Sequence, residues 1–591
     1  MKKYLLVLLV GLFGCAGNPT DKKANSQSTS LSKLFDAIDR FGSAPEDSLY
    51  RGFHPRGKWS SSSYESQQAL ADSLKKYKAA LEAITDASLS KQEKISKEVM
   101  LLNLNDQIAA IQYNLILIPF NAEGGFYNRF AYSLNNLPFK TAKDYYDYVA
   151  WLPQYDRVLQ DNIVLMKKGI ADGVVAPKVI VNNALELLKP WAVQNYQQSS
   201  FYAPINKMPE SIGEADRKAI QQESERAITH LLETYQTLTN FFAKEYMAAA
   251  KTEPGISFVP GGKEYYENRV RHYTTLPLTP DSVHNLGLQE VARIRAAMDK
   301  IIVETNFKGS FSDFLKFLRT DPQFYAKTPQ ELLNYAAWLS KKAEGQLPKF
   351  FNKLYTLPFT VEPVPAAIAP TYTGGRYVGG SWESRRAGIY WVNTYDLKSR
   401  TLYTIPSLTV HEAVPGHHLQ GALAAEIKKD LPAFRNSYYI SAFGEGWGLY
   451  SEYLGEEMGM YSTPYELFGR YTYEMWRACR LVVDTGIHYK GWTRDQALKY
   501  LAENTALSMH EVTTEIDRYI GWPGQALSYK IGELKIKSLR KKSEEALGKD
   551  FNIGDFHAAI LQNGSVPLGV LERQVDDYIA EAQSKVAAGK K

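Results

Sequence analysis

Most of this chain repeats its apolar residues every three or four positions, and that spacing constrains the fold more than any other feature. The stretches LLNLNDQIAAIQYNLILI and ERAITHLLETYQTLTNFFAKEYMAA show it between about residues 31 and 355, and it returns after 407. Residues three and four apart lie on one face of an α-helix, so each stretch predicts a helix that buries one side. We therefore expect a mainly α protein, and 591 residues are enough for one large or two ordinary domains.

The helical spacing stops between residues 357 and 407, where proline, glycine, tyrosine and β-branched residues take over. Within this segment GIYWVN, residues 388–393, predicts a β-strand. We expect a small antiparallel sheet there, beside the histidine-rich helix that follows. The strand at 388–393 could pair with an extended peptide by strand addition.

Two groups of helix-breaking residues, TEPGISFVPGGKE at 252–264 and LPLTPDS at 276–282, separate the helical stretches. Proline and glycine interrupt helices, so a division of the chain is expected near the second group. We predict an N-terminal helical lobe over 31–275 and a catalytic lobe over 276–591 that contains the histidine segment.

The first fifteen residues, MKKYLLVLLVGLFGC, have a basic start and an apolar run from Tyr4 to Gly14. A run of about eleven residues is too short to span a bilayer as a helix, so the segment predicts an export signal. LFGC at 12–15 resembles the end of a bacterial lipoprotein signal, which implies that Cys15 becomes the lipidated first residue. The alternative is a plain cleaved signal with an incidental cysteine.

Residues 16–30, AGNPTDKKANSQSTS, are polar and lack large apolar side chains. This composition favours a flexible tether that does not fold. Ala16 replaces the aspartate that commonly retains lipoproteins at the inner membrane. We therefore expect a protein anchored by lipid in the outer membrane and facing the periplasm.

The charge of the chain gives no reason to expect nucleic acid as a partner. Its 69 basic and 64 acidic residues leave a net charge of +5, and no block of like charge forms a basic stripe. After Cys15 the sequence has one further cysteine, Cys479. A disulfide framework is therefore excluded, and stability must come from the core.

HEAVPGHH, residues 411–418, resembles a stretched zinc-protease motif. The ordinary H-E-x-x-H motif places two histidines four residues apart on one helix face, with the glutamate as general base. Glu412 is the corresponding base here. In an unbroken helix, however, His417 would lie about 120° around from His411, and His418 would lie about 10.5 Å further along the axis.

Pro415 and Gly416 offer a way around this geometry. Pro415 removes a helical hydrogen bond and Gly416 permits unusual backbone angles, so two residues could be extruded at Val414-Pro415. His417 would then be the second zinc ligand, and His418 would face away to pack or to make a supporting hydrogen bond. Two alternatives stay open: His418 is the ligand, or these polar groups form a patch at a helix kink.

A hydrolytic zinc needs a third protein ligand and an open position. SAFGEGWGLYSEYLGEEMG, residues 441–459, places Glu445 in a small and apolar stretch. We predict that Zn²⁺ is held by His411, His417 and Glu445. Glu452, two turns further along the same helix face, could orient a ligand histidine from behind. The alternative is that Glu445 is a buried ion-pair partner.

Five segments make the chain similar to a known family. They are HEAVPGHH at 411–418, GEGWG at 444–448, RLVVDTGIH at 480–488, WPGQA at 522–526 and GSVPL at 564–568. The chain resembles, over most of its length, the domain-of-unknown-function 885 family, bacterial lipoproteins and secreted proteins grouped with the gluzincin metallopeptidases. The resemblance implies a large helical gluzincin-like fold with a deep cleft and a small sheet at its wall.

The resemblance to angiotensin-converting enzyme and thimet oligopeptidase, both gluzincins, implies roles for single residues. The pair Gly416-His417 resembles the Gly-His that ends their zinc motif, with two residues added, and Glu445 falls at their third ligand. The segment around Tyr529 is similar to a Tyr-Ser-Tyr region whose tyrosines polarise the scissile carbonyl. Alternative donors are His488 and Tyr471, the latter in a pair similar to an Arg-Tyr of angiotensin-converting enzyme.

These features predict a lipid-anchored zinc metallopeptidase that hydrolyses small peptides. Candidate carboxylate-binding groups, as a carboxypeptidase would require, are Arg385, Arg386, Arg477 and Arg480. Two hypotheses from other classes stay open. One is a metal-dependent hydrolase that acts on another amide, for example of cell-wall origin, and the other is an inactive lipoprotein that binds peptides without cleaving them.

Overall fold

The computed structural model describes residues 19–42, 62–128, 134, 137, 139–366 and 368–589. The predicted export signal and its lipidation site, Cys15, lie outside the described residues. Within the described ranges, no helix combines the length and the apolar character that are needed to cross a membrane.

The described part of the chain is mostly helical, which confirms the predicted mainly α fold. It contains nineteen α-helices of eight or more residues. They are α1 Pro19–Gly42, α2 Tyr64–Glu82, α3 Lys91–Gln112, α4 Ala142–Asp172, α5 Lys178–Leu188, α6 Glu214–Phe241, α7 Gly262–Thr274, α8 Pro280–Glu304, α9 Phe311–Thr320, α10 Pro329–Glu344, α11 Ile405–Glu412, α12 His417–Glu426, α13 Ser441–Glu457, α14 Pro464–His488, α15 Arg494–Asn504, α16 Met509–Gly521, α17 Ser528–Leu547, α18 Ile553–Leu561 and α19 Leu568–Gly589.

Short polar side chains start many of these helices. At α3 the Ser90 side chain accepts a hydrogen bond from the Glu93 N–H, and the Glu93 carboxylate accepts one from the Ser90 N–H. Thr141 and Asp144 form the same reciprocal pair at α4. Such pairs stabilise a helix because they bind backbone donors that its first turn leaves unpaired.

Helix α1 begins inside the segment predicted to be a tether over 16–30. Residues 19–30 are helical, although their composition favours an unfolded stretch. The helix is anchored further along, where Leu31, Phe35 and Ile38 are buried at helical spacing. Because the preceding lysine, alanine, glutamine and serine residues tolerate helical geometry, the anchored helix extends through them.

The predicted lobe boundary falls at a break between α7 and α8. Thr275 ends α7 with a left-handed backbone, φ 53°, and α8 begins at Pro280. Helix α8 then packs closely on α14: a Cβ added at Gly287 would lie 2.7 Å from the Leu481 Cβ. The division into two lobes stays a prediction.

The predicted small sheet lies directly before α11. It contains β3 Phe359–Pro363, β4 Gly375–Val378 and β5 Gly388–Val392, and a separate antiparallel pair is formed by β1 Phe120–Asn121 and β2 Gly124–Gly125. The strand order of the three-stranded sheet is β3-β5-β4, with β4 antiparallel and β3 parallel to β5. The strand predicted at 388–393 is thus confirmed as β5. It is central, however, so an added peptide cannot pair with it; the free edges belong to β3 and β4.

Helix α13 is held between α11 and α17. It packs so tightly on α17 that a Cβ added at Gly446 would lie 2.5 Å from the Gly532 Cα. On the same helix Trp447 and Tyr450 are fully buried. This packing fixes the position of α13, and with it the position of Glu445.

Candidate metal centre

The histidine segment is divided between two helices. Helix α11 ends at Glu412, α12 begins at His417, and the turn between them contains a cis Val414–Pro415 peptide bond. The His418 N–H donates to the Ala413 carbonyl oxygen at 3.0 Å. The extrusion therefore lies at Val414–Pro415, where we expected it, but the helix is interrupted there rather than bulged.

Tight packing fixes this turn. A Cβ added at Gly416 would lie 1.9 Å from the His411 carbonyl oxygen, so no larger residue fits. The fully buried Trp447 donates its indole N–H to the Pro415 carbonyl oxygen at 2.8 Å. These contacts set the direction in which α12 leaves the turn, and therefore where His417 points.

Three side chains converge where the turn meets α13. Nε2 of His411 lies 3.5 Å from Oε2 of Glu445, and Nε2 of His417 lies 3.4 Å from the same oxygen. One ligand atom from each residue lies within 4.8 Å of the other two. Tetrahedral zinc bonds of about 2.0–2.2 Å require ligand atoms roughly 3.3–3.5 Å apart, and both histidine–Glu445 distances lie in that range. The three side chains are therefore compatible with a metal site.

His411 is also held from behind. Its Nδ1 lies 2.8 Å from Oε1 of the buried Glu452. The same Oε1 lies 3.5 Å from Nη2 of Arg477. Metal-binding histidines commonly donate their other N–H to a carboxylate, which fixes the ring orientation and the tautomer. Gly448 completes the support, because a Cβ there would lie 2.7 Å from Nε2 of His411.

The electrostatics of the triad favour a positive charge. Burial lowers the pKa of His411, but the carboxylates of Glu445 and Glu452 outweigh this effect and raise it to about 9. Burial raises the pKa of Glu445, but its hydrogen bonds with His411 and His417 hold that pKa well below the usual value. The carboxylates thus stabilise a proton on His411, and a metal ion that binds there would displace it.

His418 points away from this cluster. Its Nδ1 lies 3.2 Å from the Tyr377 hydroxyl, and its Nε2 lies 3.0 Å from the Leu357 carbonyl oxygen. It is fully buried, and burial lowers its pKa to about 4. His418 therefore ties α12 to the segment around the sheet, while His417 converges with His411.

Glu412 is held by the edge of the sheet. Its Oε2 accepts a hydrogen bond from the backbone N–H of Tyr377 in β4, at 2.7 Å. Together with the triad, Glu412 lines a cavity of about 1360 Å³. The sequence indicates the strand and the glutamate separately; the contact between them becomes visible only in the folded structure.

Six tyrosines of the described part of the chain line this cavity, and two of them bear on the predicted donor to a carbonyl oxygen. Tyr529, predicted to donate to a carbonyl oxygen, is one of them. The other is Tyr439, whose hydroxyl is hydrogen-bonded to Glu445 and lies close enough to Tyr529 for the two side chains to interact electrostatically. Tyr439 was not predicted from the sequence; it lies five residues before the GEGWG segment, and no motif spacing includes it.

The family model of DUF885, described as a bacterial protein of unknown function, matches residues 45–575. The chain belongs to this family. The resemblance on which the predicted fold was based is thereby confirmed at the level of the family. No curated protein matches the chain.

Two solved structures resemble this DUF885 protein over nearly its whole length. One is described as "the putative lipoprotein from Colwellia psychrerythraea"; it is 28% identical, covers 95% of this chain and 99% of its own, and has a TM-score of 0.84. The other is "a putative lipoprotein of unknown function from Shewanella oneidensis", with 18% identity, 94% and 99% coverage and a TM-score of 0.67. The gluzincin-like character of the fold stays a prediction.

Two predicted donors do not reach the site of this DUF885 protein. His488 is fully buried, its Nδ1 accepts from the Ile256 N–H at 3.1 Å, and its Nε2 donates to the Tyr519 carbonyl oxygen at 3.0 Å. Both nitrogens thus bind backbone groups, so the catalytic role predicted for His488 is wrong. Tyr471 does not line the cavity and instead packs 4.4 Å from the Arg470 guanidinium.

Proposed function

We propose that this protein is a zinc-dependent metallopeptidase that hydrolyses small peptides. The observation that carries the proposal is the convergence of His411, His417 and Glu445 at one point of a large cavity, with Glu412 beside them. Two histidines and one glutamate are a ligand set of hydrolytic zinc sites, which leave one position open for water and substrate.

Zinc in this site would polarise a substrate carbonyl and lower the pKa of a water molecule. Glu412 accepts the proton of the attacking water and passes it to the leaving amine. The Tyr377 N–H fixes one oxygen of this carboxylate. The other oxygen has no hydrogen-bond donor among the described residues, so it is available to take the proton.

Tyr529 donates a hydrogen bond to the scissile carbonyl oxygen as negative charge develops there. Its ring lies 4.1 Å from the Arg480 guanidinium, which holds it at the cavity wall. Tyr439 is the second candidate donor, but its hydroxyl is already bound to Glu445. We therefore assign the main role to Tyr529.

The free edge of β4 supports a peptide as the substrate. The Tyr377 N–H is taken by Glu412, and it lies on the side of β4 away from β5, an edge that no other strand of the described residues covers. An extended peptide can pair with such an edge through its backbone, and this pairing would bring its carbonyl groups to Glu412. The cavity of about 1360 Å³ exceeds the roughly 300–1,000 Å³ typical of small-molecule sites, as an oligopeptide requires.

We further propose that Cys15 carries a lipid that anchors the protein in the outer membrane, facing the periplasm. The apolar run that ends in LFGC supports this location. The 28% identical structure from Colwellia psychrerythraea is also described as a "putative lipoprotein".

Metal analysis combined with digestion of a peptide library tests the proposed activity. The purified wild-type protein should bind one zinc per chain and cleave peptides. Glu412→Gln should keep its zinc, because the amide preserves shape, but should lose roughly 10²–10⁴-fold in rate, because it cannot accept the proton. Zinc-loaded wild-type protein that binds library peptides without cleaving any of them would refute the proposal.

A further inference from the structure

The cavity wall contains a guanidinium that the proposed chemistry does not use. Arg376 lies on β4, lines the cavity and is exposed. The next residue, Tyr377, holds Glu412 through its backbone N–H. Because consecutive strand residues lie about 3.4 Å apart, Arg376 is anchored within one or two residue lengths of the glutamate that would take the proton.

Aromatic neighbours hold Arg376 in place. Its partner across the sheet is Trp391, and Tyr372 packs edge-on to Trp391 at 6.1 Å. The Tyr372 side chain is hydrogen-bonded to the guanidinium. The surrounding cavity wall partly desolvates the guanidinium, which lowers the pKa of Arg376, but Tyr372 and the carboxylates of Glu412 and Glu445 outweigh this effect and raise that pKa. A positive charge is thus fixed beside the triad before any substrate binds.

Other arginines of the same wall already have partners. They are Arg480, which lies 2.8 Å from Glu515, Arg477, 3.5 Å from Glu452, Arg518, 3.0 Å from Glu123, and the buried Arg435, 2.6 Å from the Asn563 carbonyl oxygen. No carboxylate of the described residues, in contrast, lies within 4.0 Å of the Arg376 guanidinium. Arg435 also lacks an ion pair among the described residues, but it is buried and bound to backbone oxygens. Arg376 is exposed and lies on the strand that holds Glu412, so it can accept an anion without losing an ion pair.

Four other arginines were predicted from the sequence to bind a substrate carboxylate. Arg477 and Arg480 line the cavity but are engaged with glutamates. Arg385 and Arg386 do not line it; they lie in the β4–β5 connection, where Arg386 donates to the Gly379 carbonyl oxygen at 2.9 Å. Arg376 belongs to the strand edge itself, which is why its relation to Glu412 appears only once the sheet is formed.

We propose that Arg376 binds a carboxylate of the substrate that lies one or two residues from the bond to be cleaved. This inference rests on the proposed peptidase function. A guanidinium binds a carboxylate through two parallel hydrogen bonds, which fixes orientation as well as charge. The carboxylate can be the C-terminus of the peptide or an aspartate or glutamate side chain. If it is the C-terminus, the protein removes one or two residues from that end.

Equilibrium binding in the Glu412→Gln background tests the inference without requiring hydrolysis. The probes are three peptides labelled at the N-terminus with an uncharged BODIPY dye: penta-alanine with a free C-terminus, the same peptide amidated, and the amidated peptide with one alanine replaced by glutamate. Fluorescence anisotropy gives the Kd of each for zinc-loaded protein. Arg376→Gln removes the proposed contact, and Arg376→Lys keeps the charge but cannot form two parallel hydrogen bonds. Arg573→Gln is the matched control, since Arg573 lies outside the cavity wall.

We expect a peptide that bears a carboxylate to bind roughly 10- to 100-fold more tightly than the plain amide, as hydrogen bonds to charged groups typically do. Arg376→Gln should abolish this preference, Arg376→Lys should reduce it, and Arg573→Gln should leave it intact. Preference for the free C-terminus identifies the terminal carboxylate, and preference for the glutamate peptide identifies a side chain. Equal affinity for all three peptides in protein that retains Arg376 would overturn the inference, whereas the peptidase proposal would stand if the wild type still cleaves peptides.

Discussion

Gly448 gives the most direct test of the geometry behind the metal site. A Cβ at this position would lie 2.7 Å from Nε2 and Cε1 of His411, whereas ordinary contact begins near 3.4 Å. In Gly448→Ala the imidazole must therefore move by about 0.7 Å, while ligand distances in a metal site hold to within about 0.2 Å. Alanine also favours the helix by about 1 kcal/mol, so the fold should survive. We expect zinc to bind roughly 10- to 100-fold more weakly, as when the groups that orient a ligand are altered.

Competition with a chromogenic zinc chelator measures this affinity, and thermal unfolding of the metal-free protein checks the fold. Gly569→Ala is the matched control, because Gly569 is also helical and an added Cβ there meets no atom within 4 Å. The control should bind zinc like the wild type. If Gly448→Ala binds zinc as tightly as Gly569→Ala, the close approach of α13 to His411 does not set the metal geometry.

Three further predictions concern other residues. His417→Ala and Glu445→Ala should lose zinc, whereas His418→Ala should retain it, as measured by the metal content after dialysis. Loss of zinc from His418→Ala alone would identify His418, rather than His417, as the second ligand. Tyr529→Phe should lower kcat roughly 10²–10³-fold, as the loss of one oxyanion donor does, and an unchanged kcat would exclude it from that role. Cys15→Ser should release the protein from membranes, since a lipid anchor binds through its acyl chains; membrane fractionation and intact mass reveal a protein that stays bound.

The turn that brings His417 toward His411 could be predicted because it depends on local chemistry. Pro415 cannot continue a helix, and His417 then has to follow a turn. The form of that turn was not predictable, since it depends on packing of Gly416 against the His411 carbonyl group and on a hydrogen bond from Trp447, 32 residues along the chain. Local sequence thus indicates where the chain breaks, and tertiary contacts decide how.

Roles that depend on burial were harder to predict. His488 follows a distinctive segment and looks functional in the sequence, but both of its nitrogens bind buried backbone groups. Tyr439 carries no spacing signal, and Arg376 acquires its position only when β4 pairs with β5. A side chain's neighbours across the fold determine whether it is available for chemistry, and one-dimensional spacing contains little of that information.

The packing behind the triad restricts the route by which a metal ion can reach it. Behind His411 the buried Glu452 lies 2.8 Å from Nδ1 and Gly448 approaches the ring closely, while His411 and Glu445 line the cavity on the other side. In the proposed peptidase a metal ion would therefore enter and leave through the opening that a peptide occupies. A bound peptide should block this opening and slow the extraction of the metal by a chelator. The rate of metal exchange would then report how long each peptide stays in the cavity.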